Sequence, residues 1–381
     1  MNRLNVMRPW LGEEEVAAVS EVIRSGWVAQ GPRVAEFERA FADKQMIAHA
    51  VATSNCTTAL HLALLVAGVG PGDDVVVPSF SFIATANAPT YVGARPVFAD
   101  VDCDTGNLTP DTVNAAVTDA TKAVIAVDQG GVPVDLASIR EFCEPRGIVV
   151  IEDAACGIGS TFQGKPVGAG ADLAAWSFHP RKILTTGEGG MLTTPHREWA
   201  ERARRLREHA MSVSAAARHA QVLAPAEEYL EVGYNFRLTD LQAAVGLVQL
   251  GRLDEILTRR RELAKTYGAA TSLISGLRPV QDPVWGTANF QSYWIEVLPE
   301  YPISRDGLLG LLAEADISGR RGIMAAHRQP AFSERDWGTA SLDNTERLTD
   351  NTLILPLFHE MTDAELDRVV SVLRTGGCRH G

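Results

Sequence analysis

Lys182 is the residue whose type and placement first suggest chemistry. It lies in the stretch 177–190, SFHPRKILTTGEGG, between one short apolar run, 173–177, and another, 191–194. A lysine on a turn between two buried strands can be held against a pocket rather than splayed into water. In that setting an ε-amino group can form a Schiff base with a carbonyl. A solvated loop lysine has the same local features, so the reading depends on what else the chain supplies.

Three upstream stretches bear on it. In 54–65, SNCTTALHLALL, small polar residues precede a strongly apolar helix. Free backbone N–H groups at a helix start, with the Thr57 and Thr58 hydroxyls added, make an anion cradle; simple N-capping by Asn55 or Thr57 accounts for the same residues. In 76–88, VVPSFSFIATANA, Phe80 and Phe82 follow the carboxyl end of a strand. There a flat aromatic either lies on a planar ligand or packs into the core. In 149–157, VVIEDAACG, a buried strand ends in Glu152 and Asp153, which point to opposite sides. A carboxylate in that position is costly unless it is paired. No second acidic or histidine cluster at suitable spacing supports a metal, and a cationic ring nitrogen is another partner. The glycine run 68–72 precedes a strand instead of joining strand to helix, so it fails as a dinucleotide fingerprint. The glycines at 130–131, 164–170 and 187–190 read as turns.

Together these residues form the set that holds pyridoxal 5′-phosphate: a phosphate cradle, a stacking aromatic, a partner for the ring nitrogen and a Schiff-base lysine. The elements that must position them are a covered, mostly parallel sheet. Strands are expected over 74–78, 95–100, 123–127, 148–152, 173–177 and 191–194, with helices over 57–67, 83–91, 111–116 and 136–145 between the early ones. Ligands of such sheets bind in loops at the carboxyl ends of the strands. Helices are expected over 12–25 and 34–42 before the sheet. After it come a basic amphipathic helix over 198–211, an irregular stretch over 212–228, and one long helix over 239–270 capped by Thr239. A strand over 291–298 and helices over 304–315 and 362–373 follow. The domain boundary is placed inside the long helix, giving an N-terminal segment and large domain over 1–250 and a small domain over 251–381.

Composition bounds the function. The chain of 381 residues is 46% hydrophobic and 22% charged, ordinary for a globular protein. A net charge of −12 argues against a nucleic-acid binder. Five scattered cysteines without a C-x-x-C pair argue against a disulfide framework or zinc site. No apolar h-region opens the chain and no apolar run is long enough to span a bilayer, so a cytoplasmic, reduced setting is expected.

The chain also resembles a known family: fold-type-I pyridoxal-phosphate enzymes of the DegT-type nucleotide-sugar aminotransferase family. The resemblance runs nearly end to end, through RPWLGEEE, GVGPGDDVVVPSFSFIATANA, VIEDAACGIGS, SFHPRKILTTGEGG, GYNFRLTDLQAAVGLVQL and LPLFHEMTD. It implies an α/β fold with a mostly parallel seven-stranded sheet and a smaller C-terminal α+β domain. It implies that Lys182 forms the Schiff base and shuttles the proton, that Asp153 pairs with the pyridine nitrogen, and that Phe82 stacks on the ring. Cys56, Thr57 and Ser177 match phosphate contacts. Asn235 matches an asparagine donated across a homodimer interface, so that active sites are composite. Two positions depart from the pattern. Cys156 stands where Gln or His is usual, near the cofactor's 3′-oxygen, and Cys56 stands where Gly or Ala is usual. The branch that dehydrates at carbon 3 has His in place of the lysine, which Lys182 argues against. The lysine loop matches the carbon-4 branch better than the carbon-3 form SFYPGKNLGALGD. The resemblance thus implies transfer from L-glutamate to a nucleotide-linked, dTDP-type 4-keto-6-deoxyhexose, as in a dTDP-4-amino-4,6-dideoxyglucose transaminase. His179, Glu188, Arg321 and His327 are candidates for the sugar or diphosphate, and surface or interface polarity accounts for each of them equally well. Amination at carbon 3 or of a cyclitol, and a non-catalytic sensor on the same fold, are the competing readings.

Overall fold

The computed structural model describes residues 3–213, 226–334 and 337–378. Two helices, α1 (Glu13–Ser25) and α2 (Pro32–Lys44), precede a seven-stranded sheet. Its strands are β1 (His49–Thr53), β2 (Asp74–Pro78), β3 (Arg95–Ala99), β4 (Thr121–Val127), β5 (Val149–Asp153), β8 (Leu173–Ser177) and β9 (Gly190–Thr194), in the order β1-β9-β8-β5-β4-β2-β3. All run parallel except β9, which is antiparallel to both β1 and β8. The strand His49–Thr53 was not expected. Its sequence, HAVAT, is short and alanine-rich, so it carries little strand signal.

The strands are apolar because the sheet is covered on both faces. Val75, Val77, Ile125, Ile151 and Ala175 face one side. They pack there against α3 (Cys56–Val66), α4 (Ile83–Tyr91) and α7 (Arg197–Leu206). Val76, Val124, Val150, Ala174 and Trp176 face the other side, against Phe37 and Phe41 of α2, Val113 of α5 (Pro110–Ala116) and Ile139 of α6 (Leu136–Cys143). This alternation sends Asp153 toward α3 and α4 and Glu152 to the opposite face, as expected. The parallel arrangement brings the carboxyl ends of β1, β2, β3, β4, β5 and β8 to one edge of the sheet.

The long helix expected over 239–270 is two helices, Asp240–Gly251 and Leu253–Thr271, separated at Arg252 (φ −94°, ψ −2°). Thr239 caps the first by accepting from the Gln242 N–H, as expected. Beyond it lies a four-stranded antiparallel sheet in the order β10 (Leu277–Pro279), β12 (Tyr293–Val297), β14 (Thr352–Leu355), β13 (Arg320–Arg321). Helices Arg305–Glu314, Asp343–Asn351 and Asp363–Gly377 accompany it. The last opens with the capping box read at Thr362 and Glu365. A small sheet of β6 (Thr161–Phe162), β7 (Lys165–Pro166) and β11 (Gly286–Thr287) joins the two parts, as do the Phe80–Ala325 bridge and the Ser79–His327 hydrogen bond. Residues 214–225, in the stretch expected to be irregular, lie outside the described residues. Among the described residues no helix is long and apolar enough to cross a membrane.

The back of the sheet edge holds two buried carboxyls, Asp128 and Glu152, each with one oxygen that finds no hydrogen-bond partner among the described residues. Burial pushes Glu152 up to about 8 from an ordinary 4.5, and raises Asp128, helped by the charge of Glu152. A carboxyl raised in the fold favours the folded state fully below its unfolded pKa and loses that contribution as pH rises toward the folded value. Glu152→Gln keeps an oxygen for the Gly168 N–H and removes the titration. Its stability relative to the natural chain should be unchanged near pH 4 and greater by about 2–4 kcal/mol near pH 8. Denaturant melts at the two pH values check this.

Candidate active site

The sheet edge gathers four of the expected residues. Asp153 ends β5 and is 5% exposed. Its Oδ2 accepts from the Thr85 hydroxyl at 2.9 Å, and its Oδ1 accepts from the Ala155 N–H at 3.2 Å. Cys56 Sγ lies 4.0 Å from the same Oδ1. Lys182 is half-buried on the β8–β9 loop, and its Nζ donates to Cys156 Sγ at 3.1 Å. Two loops, after β5 and β8, thus meet through the lysine and the thiol, while the first residue of α3 reaches the carboxylate.

The electrostatics follow from burial. Desolvation raises the Asp153 pKa, opposed by the Thr85 hydroxyl, the Ala155 N–H and the Lys182 charge. A buried carboxylate raised in this way lacks a full cationic partner. Burial pulls the Lys182 amine down, but Cys156, Cys56 and Asp153 together outweigh it, and the net direction is up. The fall toward neutrality that a basic amine needs is therefore not produced by the chain alone. Burial and then Asp153 push the Cys56 thiol well up.

Thr58, not Thr57, closes the cap of α3: Asn55 Oδ1 accepts from the Thr58 N–H at 2.9 Å, and the Asn55 N–H donates to Thr58 Oγ1. Among the described residues no partner takes the Cys56 and Thr57 N–H groups or the Thr57 hydroxyl. The start of β9 presses against this turn. A Cβ at Gly190 would stand 2.4 Å from the Asn55 carbonyl carbon and 2.6 Å from the Cys56 nitrogen, so only glycine fits there. Ser177 ends β8, half-buried and paired in register with Gly190.

The two phenylalanines divide. Phe80 is buried, and Phe82, at the N-cap of α4, is 58% exposed. His179 is half-buried; its Nδ1 accepts from the Arg181 N–H and its carbonyl from the Lys182 N–H, with burial lowering its pKa. Glu188 is exposed, and its carbonyl accepts from Thr186 and Gln242. Arg321 pairs with Asp306 at 3.2 Å. Both ring nitrogens of His327 are engaged, by Ser79 at 2.7 Å and Glu346 at 3.1 Å. Asn235 is exposed and bridges to Glu208. No contact joins Arg321, His327 or Asn235 to the four central residues among the described residues.

Three contributors were not singled out from sequence. Thr85 stands in the first turn of α4, inside a motif that was read, and supplies the hydroxyl on Asp153. Arg320, rather than Arg321, feels the lysine loop: burial and then the charge of Arg181 lower its pKa. Gln291 bonds the backbone on both sides of Lys182.

Residues 9–374 match the DegT/DnrJ/EryC1/StrS aminotransferase family, and the chain belongs to it. Among solved structures it is similar to the aminotransferase TlmJ from Streptoalloteichus hindustanus, with 38% identity, 98% of each chain covered and a TM-score of 0.89. It is similar to DesV of S. venezuelae, solved in complex with a ketimine intermediate, with 30% identity, 100% of each chain covered and a TM-score of 0.90. It is also similar to the sugar aminotransferase Spr1654 from Streptococcus pneumoniae in its PLP form, with 26% identity, 99% of this chain and 98% of that chain covered, and a TM-score of 0.90.

Because Cys156 raises the Lys182 amine by charge and by hydrogen bond, Cys156→Ala should lower the amine's pKa. Competitive acylation of the cofactor-free protein across pH checks this. The reactivity of Lys182 should rise at a lower pH than in the natural chain.

Proposed function

We propose that this chain is a pyridoxal-phosphate-dependent transaminase that moves an amino group from L-glutamate to a nucleotide-linked 4-keto-6-deoxyhexose, with a dTDP-type carrier. The observation that carries the reading is one half-buried lysine and one buried carboxylate placed at the sheet edge where the first amides of α3 have no partner among the described residues. The residues fit the cofactor. Asp153, raised by burial and short of a cation, would hold the proton of the ring nitrogen. The Cys56 and Thr57 N–H groups, the Thr57 hydroxyl and Ser177 would hold the phosphate. The exposed face of Phe82 would lie on the ring, and Cys156 would stand near its 3′-oxygen.

When bound, pyridoxal phosphate supplies an aldehyde that takes up an amino group and a ring that delocalises the charge left at carbon. The chain's residues do the rest. Lys182 would hold the aldehyde at rest, and its freed amine would take the proton from the donor's Cα and pass it to the cofactor carbon that receives the amino group. In the second half-reaction the same amine would take the proton back from that cofactor carbon and deliver it to carbon 4 of the sugar. Asp153 would keep the ring nitrogen protonated, and that positive charge would oppose the upward shift of the Lys182 amine. A homodimer in which Asn235 completes the partner's phosphate site, and the assignment of His179 and Glu188 to the substrate, belong to this reading. The placement of His179 and Glu188 on the lysine loop supports the latter.

Lys182→Ala should abolish turnover and the absorbance of lysine-bound cofactor. Asp153→Asn should lower kcat by on the order of 10²-fold or more. Full transamination by the Lys182 variant would sink the assignment. Assaying 4-keto and 3-keto nucleotide sugars and a keto-cyclitol side by side should favour the 4-keto substrate; preference for either other acceptor would replace it.

A further inference from the structure

The segment Asn289–Gln291 comes from the C-terminal part of the chain and crosses three loops at the sheet edge. Asn289 is fully buried, and its Nδ2 donates to the Cys156 and Ile158 carbonyls at 2.6 and 2.7 Å. Its Oδ1 accepts from the Gln291 N–H at 2.6 Å. The crossing requires glycine beneath it: a Cβ at Gly131 (φ +92°) would stand 1.9 Å from Asn289 Oδ1. Phe290 sits at φ +52°, a region costly for a residue with a bulky side chain, and the turn it makes aims Gln291 at the lysine loop. Gln291 Oε1 accepts from the Ile183 N–H at 2.8 Å, and its Nε2 donates to the Arg181 carbonyl at 2.6 Å. The amide therefore grips the residues on either side of Lys182. Arg260, fully buried, donates to the carbonyls of Phe290 and Gln291 and holds the segment from behind.

We infer that Gln291 is a positioning residue for Lys182. Its two bonds fix the backbone from which the lysine projects, and through Asn289 the same segment fixes the loop that carries Cys156, the lysine's contact. The grip spans 108 and 110 residues of sequence, so it couples the C-terminal part of the chain to the aim of the amine. The inference rests on the role proposed above for Lys182. A displacement of about 1 Å at a reacting group costs on the order of 10²-fold in rate, and two backbone bonds are enough to hold or release that much.

The test uses the full chain. Gln291→Met keeps the length of the side chain and removes both bonds. Gln291→Glu keeps an acceptor for the Ile183 N–H and loses the donor to Arg181. In the cofactor-free protein, amide exchange at Ile183 should speed by about 10-fold in Gln291→Met and by less in Gln291→Glu. Capture of added pyridoxal phosphate at Lys182, trapped with borohydride, should slow in the same order. In the loaded enzyme kcat should fall by roughly 10–100-fold while KM for the keto-sugar stays within about 2-fold. If Gln291→Met does not fold, Gln291→Glu carries the same readouts. Unchanged Ile183 exchange, or faster exchange with capture and kcat equal to those of the natural chain, overturns the role of Gln291 alone. Failure of the natural chain itself to fix the cofactor at Lys182 overturns the functional reading, and the role of Gln291 with it.

Discussion

A carboxylate is kept almost dry at the end of β5, and much of the surrounding architecture answers to that constraint. Asp153 is 5% exposed, and an unpaired ion at that depth would protonate rather than stay charged. Two donors from its own chain, the Thr85 hydroxyl and the Ala155 N–H, oppose the upward push of burial without cancelling it. On the function proposed here, that residual imbalance is met by a protonated ring nitrogen. Its neighbour Glu152, one residue earlier and on the other face, is pushed by burial up to about 8. Strand alternation alone separates the two fates.

The parallel strands bring their carboxyl ends to one edge, but the sheet does not by itself place a flexible lysine. The β8–β9 loop is long, and its fit depends on contacts from outside the sheet. Gly190 lets the loop's return strand touch the first turn of α3. Gln291 ties the loop's backbone on both sides of Lys182. The covering helices supply the free amides and the Thr85 hydroxyl. The site is thus shared among a strand end, a helix start, a loop and a remote strap, which is why no single motif in the chain describes it.

Much of this was legible from sequence. Strands 74–78 and 173–177 and helix 83–91 stand at the bounds read from their apolar runs and flanking turn residues. The pairing of Asp153, at a strand end, with Lys182, on a later loop, came from the combined set of signals and the family resemblance, and in the fold the lysine's charge acts on the carboxylate. The less legible features have physical causes. Phe80 and Phe82 differ in burial because the chain turns between strand and helix at Ser79–Ser81, which a two-residue spacing cannot reveal. Arg252 breaks a helix whose apolar pattern runs on through Gly251. The strap at 289–291 acts through side-chain amides on backbone more than 100 residues away, and local patterns carry no signal of that. His327, a sequence candidate for the sugar or diphosphate, has both ring nitrogens engaged by Ser79 and Glu346, partners distant in sequence that local patterns do not show.

The central claim is that one amine among the chain's five lysines, Lys44, Lys122, Lys165, Lys182 and Lys265, carries the chemistry. Borohydride reduction of the protein loaded with pyridoxal phosphate, followed by peptide mapping, tests it directly. The account predicts a pyridoxyl group on the peptide containing Lys182 and its loss when L-glutamate is added before reduction. A label confined to any of the other four lysines, or one on Lys182 that L-glutamate leaves untouched, would contradict it.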